Sequence, residues 1–109
     1  MVFWRIKKDR SILTAVREHI IEKYYIDRMA QEFPGCITRK FEALTNDPDR
    51  ITFLPNGRAV LVELKRPDKE PRSGQYRAIK RYNDLGIFTD WANSKPMVDA
   101  LIEKIKKLE

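Results

Sequence analysis

Three charged residues near the middle of the chain, Asp49, Glu63 and Lys65, have the types and spacing to do chemistry together. If the two acids face each other on neighbouring strands, their charges repel unless something compensates. A divalent cation would compensate, because two carboxylate oxygens, a backbone carbonyl and waters form the oxygen shell that Mg²⁺ accepts. Lys65 could instead pair with one acid in an ordinary strand-end salt bridge. The spacing leaves both interpretations open, because a one-residue change of register would move Asp49 to the other face.

A short turn decides whether these residues meet. Two β-rich runs, 51–54 and 58–65, are separated by Pro55-Asn56-Gly57. A three-residue hairpin loop uses a type I turn followed by a left-handed residue, and Pro-Asn-Gly suits those three positions. The resulting register places Asp49 opposite Glu63. Side chains alternate along a strand, so Lys65 lies on the same side as Glu63. The sequence therefore predicts a hairpin that gathers both acids and the lysine at one end.

The other segments predict an α/β fold in which a mixed β-sheet is flanked by helices. Ile21, Tyr25 and Met29 recur at the four-residue spacing of one helical face, which predicts a first helix. Residues 1–16 are an N-terminal extension that could be an arm, a strand or the start of that helix. The predicted order is α-β-β-β-α-β-α, with a helix at about 17–32, strands at 36–41, 51–54 and 58–65, a helix at 74–85, a strand at 87–91 and a helix at about 96–108.

The helix at 74–85 is predicted to follow an N-cap at Ser73. The tyrosines of the chain are interpreted as packing residues rather than as platforms on which nucleobases stack. Trp4 and Trp91 are large for a small domain to bury, so one of them is expected at a subunit contact. The spacing of the apolar residues in the segment 74–85 predicts that this helix buries a stripe formed by Tyr76, Ile79, Tyr82 and Leu85.

Composition limits the class of protein. The 109 residues contain Lys+Arg 22 against Asp+Glu 16, giving a net charge of +6, which favours a polyanionic partner. This length is typical of one domain with one core. The single Cys36 excludes an internal disulfide, and the single His19 argues against a His-rich metal site or a Ser-His-Asp triad. No run of apolar residues suggests a membrane span or a leader, which predicts a cytoplasmic, reducing location without membrane contact.

The order of several short motifs resembles a known nuclease family. Pro48-Asp49, followed after 13 residues by Glu63-Leu64-Lys65, is similar to the PD-(D/E)xK signature. The Pro-Asn-Gly turn, Gln75 and Leu85-Gly86 follow in the order found in the VRR-NUC branch of that superfamily, and the resemblance covers roughly residues 21–105. It implies a restriction-endonuclease-like core.

The resemblance implies a role for each matching residue of the hairpin. Asp49 and Glu63 match the metal-binding acids. Leu64 matches the position whose backbone carbonyl also reaches the metal. Lys65 matches the catalytic lysine, which orients or activates the attacking water and steadies charge on the phosphate.

Further positions match less directly. Gln75 matches a helix glutamine beside the site. Glu22 matches a glutamate on the first helix, with a metal contact through water, and Glu18, one turn earlier, is the rival; a solvated acid is the alternative interpretation of Glu22. The loop before Pro-Asp lacks the glycines common in the family, and Asn46, which tolerates a left-handed backbone, is the candidate to replace one. Asp47 is an additional acid close to the expected cation.

Basic residues follow the Glu-Leu-Lys run and continue along the next helix. They could contact a phosphate backbone without reading sequence, and a solvated charged face is the alternative. We refer to the predicted DNA-binding residues as the basic set, which comprises Lys40, Arg66, Lys69, Arg72, Arg77, Lys80 and Arg81.

The resemblance implies a Mg²⁺-dependent endonuclease, with Mn²⁺ as a substitute, that hydrolyses phosphodiester bonds in DNA. Single-domain members of the family act as homodimers on four-way junctions, so a Holliday junction resolvase that acts on branched DNA is the expected function. A flap or duplex nuclease is one alternative. A non-catalytic nucleic-acid-binding module, in which the acids and the lysine form a structural cluster, is the other.

Overall fold

The structure is a computed structural model that describes residues 9–41 and 43–108, with side chains from residue 19 onward. Three helices pack on a four-stranded mixed sheet in the order that the sequence predicts. Trp4 lies outside the described residues. The elements are α1 (Asp9–Glu32), β1 (Ile37–Lys40), β2 (Arg50–Phe53), β3 (Ala59–Leu64), α2 (Ser73–Asp84), β4 (Thr89–Ala92) and α3 (Lys95–Lys106).

Helix α1 spans Asp9–Glu32, so residues 9–16, the described part of the segment that the sequence left open, form its first turns. Ile21, Tyr25 and Met29 form its buried face, as their spacing predicted. The helix ends where expected, and Gly35 follows with a φ of 90°, a left-handed value that glycine adopts without strain. None of the helices in the described part of the chain is long and apolar enough to cross a membrane.

The Pro-Asn-Gly turn has the predicted geometry. The Gly57 N–H donates to the Leu54 carbonyl at 2.9 Å, and Gly57 has a φ of 88°. The Leu54 N–H donates to the carbonyl of Arg58 at 2.8 Å, so these two residues pair across the loop. Further along the hairpin Ile51 pairs with Leu61, which is the predicted register. The strands run in the spatial order β1-β2-β3-β4, with β4 parallel to β3 and the other pairs antiparallel.

The core lies on one face of this sheet. Helix α1 packs there against β3 and helix α3 against β4 and α1, while α2 lies on the opposite face, where Gln75 reaches Glu63. The apolar spacing of the last helix predicts one buried face, and four of its residues are buried while Leu108 is half-buried; the buried ones are Val98, Leu101, Ile102 and Ile105. The core cluster consists of Ile21, Tyr25, Met29, Leu54, Val60, Val62, Leu64, Ala92, Val98, Leu101, Ile102 and Ile105.

The predicted buried stripe of α2 is wrong. Tyr76 is 38% exposed and Leu85 is 72% exposed, whereas Gln75 and Ala78 are buried. The helix is rotated by about one residue relative to the prediction, because the Gln75 amide hydrogen-bonds to a buried carboxylate of the sheet. A polar contact therefore sets the face that α2 presents to the sheet.

The predicted N-cap of α2 is also displaced. Ser73 is the first helical residue and Arg72 is the N-cap. The Gln75 side chain supplies the capping interaction, because its Oε1 accepts the Arg72 backbone N–H at 2.9 Å. Gln75 thus caps the helix through its side-chain Oε1 and hydrogen-bonds to the sheet through its Nε2.

Candidate active site

The Glu63 carboxylate is the centre of the candidate site. Glu63 lies on β3 and is 2% exposed. Its Oε2 accepts the Gln75 Nε2–H at 2.7 Å and lies 3.1 Å from the Lys65 Nζ. Within residues 9–41 and 43–108, no group hydrogen-bonds to its buried Oε1. The strand-end ion pair foreseen as the simpler interpretation is therefore present, but it leaves one carboxylate oxygen unsatisfied, which is rare in protein interiors.

Asp49 lies directly before β2 and approaches Glu63 from the neighbouring strand. Its Oδ2 accepts the Leu64 backbone N–H at 3.1 Å, and its carbonyl accepts the Phe41 N–H at 2.7 Å. Asp49 is exposed to solvent, whereas Glu63 is buried. The hairpin thus brings both acids and Lys65 to one end of the sheet, with Asp49 at the mouth and Glu63 inside.

The Asp49 carboxylate opposes ionisation of its neighbour Glu63. Burial, and next the negative charge of Asp49, raise the pKa of Glu63 from 4.5 to about 7, while Lys65 opposes the shift. The Asp49 backbone N–H also opposes it. Desolvation likewise raises the pKa of Asp49, opposed by its hydrogen bond from Leu64. Burial and the neighbouring Asp49 charge thus both disfavour the ionised form of Glu63.

The arrangement fits a divalent cation. Glu63 Oε1 is an orphaned buried acceptor beside a second carboxylate, and a cation would satisfy the first and neutralise the repulsion between the two. No group of three or more His, Cys, Asp or Glu residues able to hold a metal exists among the described residues. Oxygen atoms from backbone, water or substrate would therefore complete the shell, as is usual for Mg²⁺. The Leu64 carbonyl stays a predicted ligand.

Sequence reasoning missed Arg50, a buried arginine next to Asp49. Arg50 is 8% exposed; its Nη1 donates to Glu22 Oε2 at 3.0 Å and its Nε to Thr38 Oγ1 at 3.1 Å. Strand alternation was the available signal, because it puts Arg50 on the same face as Thr52, which is buried under α1. An arginine on that face needs an acidic partner, and Glu22 is that partner.

Glu22 is held near the site rather than in solvent. Besides the ion pair with Arg50, its Oε1 lies 3.7 Å from the His19 Nδ1. Its negative charge contributes to the raised pKa of Asp49, so the two acids are close. Its metal contact through water stays a prediction, and the side chain of the rival Glu18 lies outside the described side chains.

We expect Arg50→Met to lower the free energy of unfolding by about 2 kcal/mol, because Glu22 and Thr38 lose a charged partner in a mostly buried position. Urea denaturation at neutral pH measures this change. Lys23→Met is the matched control, since the Lys23–Asp27 pair is exposed and should contribute less than about 1 kcal/mol. Equal effects of the two substitutions would contradict the structural role of Arg50.

The loop before Asp49 is held away from the carboxylates. Asp47, an extra acid by sequence, accepts the Tyr82 hydroxyl at 3.0 Å and the Leu44 N–H at 3.1 Å, so both its oxygens have other partners. The left-handed backbone suggested for Asn46 is wrong, because Asp68 is the non-glycine residue with positive φ in the described chain. Asn46 packs instead against Gly74, where a Cβ would lie 2.7 Å from its Nδ2.

The basic set is dispersed over the surface. Lys40 is exposed on β1, and its charge lowers the pKa of Asp49 against the effect of burial. Lys69 and Arg72 are exposed on the loop between β3 and α2, and Arg66 is half-buried there. The three cations of α2 lie on the side of the helix opposite the buried Gln75; they are Arg77, Lys80 and Arg81. Of these, Lys80 pairs with Asp84 at 2.8 Å.

This chain is similar to known proteins in sequence and in structure. No model of a known protein family matches the sequence. The protein named "Putative nuclease p44" of Acyrthosiphon pisum secondary endosymbiont phage 1 is 36% identical over 73 residues, which span 65% of this chain and 76% of that protein. A solved structure described as a VRR_NUC domain has a TM-score of 0.68 and 29% identity, with coverage of 80% of this chain and 95% of that one.

Proposed function

Because this chain belongs to the VRR-NUC family of nucleases, we propose that it is a metal-dependent DNA endonuclease that hydrolyses phosphodiester bonds at branched structures. The observation that carries the proposal is the unsatisfied, buried Oε1 of Glu63 beside Asp49. A structural salt bridge would not require a second carboxylate at this point, since Lys65 already pairs with Glu63 Oε2.

Each polar residue has a distinct task in this proposal. Asp49 and Glu63 would hold Mg²⁺ or Mn²⁺, together with the Leu64 carbonyl. When bound, such a cation polarises a phosphate oxygen and lowers the pKa of a bound water. Gln75 orients Glu63 by donating to its Oε2 at 2.7 Å, which leaves Oε1 for the cation.

Lys65 supplies the cationic side chain of the site. Its side chain is 17% exposed, and its Nζ lies 3.1 Å from Glu63 Oε2. From this position the ammonium group can also donate to a phosphate oxygen or to a water, because it carries three N–H donors. It would orient the attacking water and balance the negative charge that develops on the phosphate.

The net charge of +6 and the exposed cations Lys40, Lys69 and Arg72 support a DNA substrate. A homodimer with two-fold symmetry would present two such sites to the two symmetry-related strands of a four-way junction. This preference for junctions rests on analogy with the family.

Cleavage of labelled DNAs tests the proposal. A four-way junction, a flap and a linear duplex are incubated with the protein in Mg²⁺, in Mn²⁺ and in chelator. We expect metal-dependent cutting, with the junction cut fastest. Binding of all three DNAs without cleavage in either metal would identify a non-catalytic binding module instead, and a solution mass measurement tests the dimer.

A further inference from the structure

Two aromatic side chains lie beside Glu63 and are not used by the chemistry proposed above. Trp91 of β4 pairs with Glu63 of β3 in the parallel register, so the two side chains project from the same face of the sheet. Tyr76 directly follows Gln75, whose amide hydrogen-bonds to Glu63. The Tyr76 and Trp91 rings contact each other edge to face, with centroids 6.1 Å apart and an interplanar angle of 89°.

The aromatic pair is open to solvent. Tyr76 is 38% exposed, although its helix buries Gln75 and Ala78 on either side of it in sequence. Trp91 is half-buried and supports the tyrosine ring from the sheet. A ring required for the core would be covered, as Tyr25 is in this fold. The pair thus presents aromatic surface on the same face of the sheet as Glu63.

The charged residues around the aromatic pair limit the kind of ligand that can bind there. Lys69 and Arg72 are exposed on the adjoining loop, and Asn93 Nδ2 fixes that loop by donating to the Lys69 carbonyl at 2.7 Å. Glu70 lies beside the Tyr76 hydroxyl and, after burial, is the next cause of its raised pKa. Cations at the edge attract phosphates, while the acid next to the ring disfavours a phosphate directly over it. An uncharged planar group joined to a phosphate backbone satisfies both conditions.

We propose that Tyr76 and Trp91 form a stacking site for an unpaired nucleobase next to the phosphate that is cut. The inference rests on the proposed function for the position of that phosphate. Bases at a branch point have lost a stacking neighbour, so an aromatic ring can receive them at little cost. The aromatic pair would then make branched DNA a better substrate than a continuous duplex.

Fluorescence of 2-aminopurine tests the stacking directly. The probe is a flap DNA with 2-aminopurine at the unpaired branch-point position, and a second flap carries it inside a paired arm. Both are titrated in chelator, so that no cutting intervenes. We expect the wild-type protein to quench the branch-point probe and not the other, and Tyr76→Ala to weaken affinity for the flap roughly tenfold while linear duplex binding stays unchanged.

Two substitutions separate stacking from other roles. Tyr76→Phe keeps the ring and should behave as wild type, whereas Leu85→Ala removes a more exposed apolar side chain at the C-cap of the same helix and should have no effect. Unchanged flap affinity in Tyr76→Ala, or an equal loss in Tyr76→Phe, would overturn the proposal. An equal loss on flap and duplex would also overturn it, since the ring would then merely support Gln75. Quenching by a wild-type protein that cuts no DNA would instead refute the proposed function alone.

Discussion

Glu63→Gln is expected to lower the rate of DNA cleavage by about a thousandfold or more, which corresponds to about 4 kcal/mol of transition-state stabilisation. The substitution preserves shape and leaves an oxygen to accept the hydrogen bond from Gln75, but it removes the charge that a cation at the unsatisfied Oε1 requires. Single-turnover cleavage of a labelled junction in Mg²⁺ measures the effect. Asp49→Asn and Lys65→Ala should abolish cleavage as well, with the fold and DNA binding largely intact.

Glu103→Gln is the matched control for this experiment. It makes the same chemical change at an exposed position on α3, where Glu103 pairs with Lys106 at 2.9 Å. Its cleavage rate should equal that of the wild type. A Glu63→Gln protein that cut at the wild-type rate would show that the buried carboxylate has no part in the reaction.

The metal-free protein should become less stable as the pH rises from 4.5 to about 7. The folded protein keeps a proton on Glu63 up to a pH of about 7, whereas the unfolded chain releases it near 4.5. Between these values the folded state binds more protons, so the free energy of unfolding falls with rising pH. The contribution of Glu63 is about 3 kcal/mol and is lost above about pH 7. The raised pKa of Asp49 acts in the same direction.

Urea denaturation in chelator across this pH range measures the slope. Glu63→Gln should flatten most of it, because the group that titrates is gone. Mg²⁺ added at alkaline pH should restore stability to the wild type and not to the variant, since a ligand that binds the folded state stabilises it. A stability that rises with pH in the metal-free protein would contradict this account of the carboxylate pair.

The hairpin was predictable because its turn has strict backbone requirements. Pro55-Asn56-Gly57 allows few alternatives, and one register follows from it, so the approach of Asp49 to Glu63 could be derived before any coordinates. The core face of α1 was equally accessible, since Ile21, Tyr25 and Met29 leave no competing periodicity.

Helix α2 was not predictable in the same way, because its orientation depends on a contact with the sheet. Apolar spacing favoured Tyr76 and Leu85 as buried residues, but the hydrogen bond from Gln75 to Glu63 turns a different face inward. Arg50 was missed for a related reason. Its partner Glu22 is 28 residues away in sequence, and local patterns carry no information on such pairs.

The side-chain amide of Gln75 has an acceptor oxygen and a donor nitrogen, and both already make hydrogen bonds in this fold. Its Oε1 accepts from the Arg72 backbone, and its Nε2 donates to Glu63. An ionised glutamate at this position could cap the helix but would repel Glu63. A substitution of Gln75 therefore changes both the first turn of α2 and the charge of the candidate site. The rate of hydrogen exchange at the Arg72 backbone amide should consequently depend on the ionisation of Glu63, although Gln75 stands between the two groups.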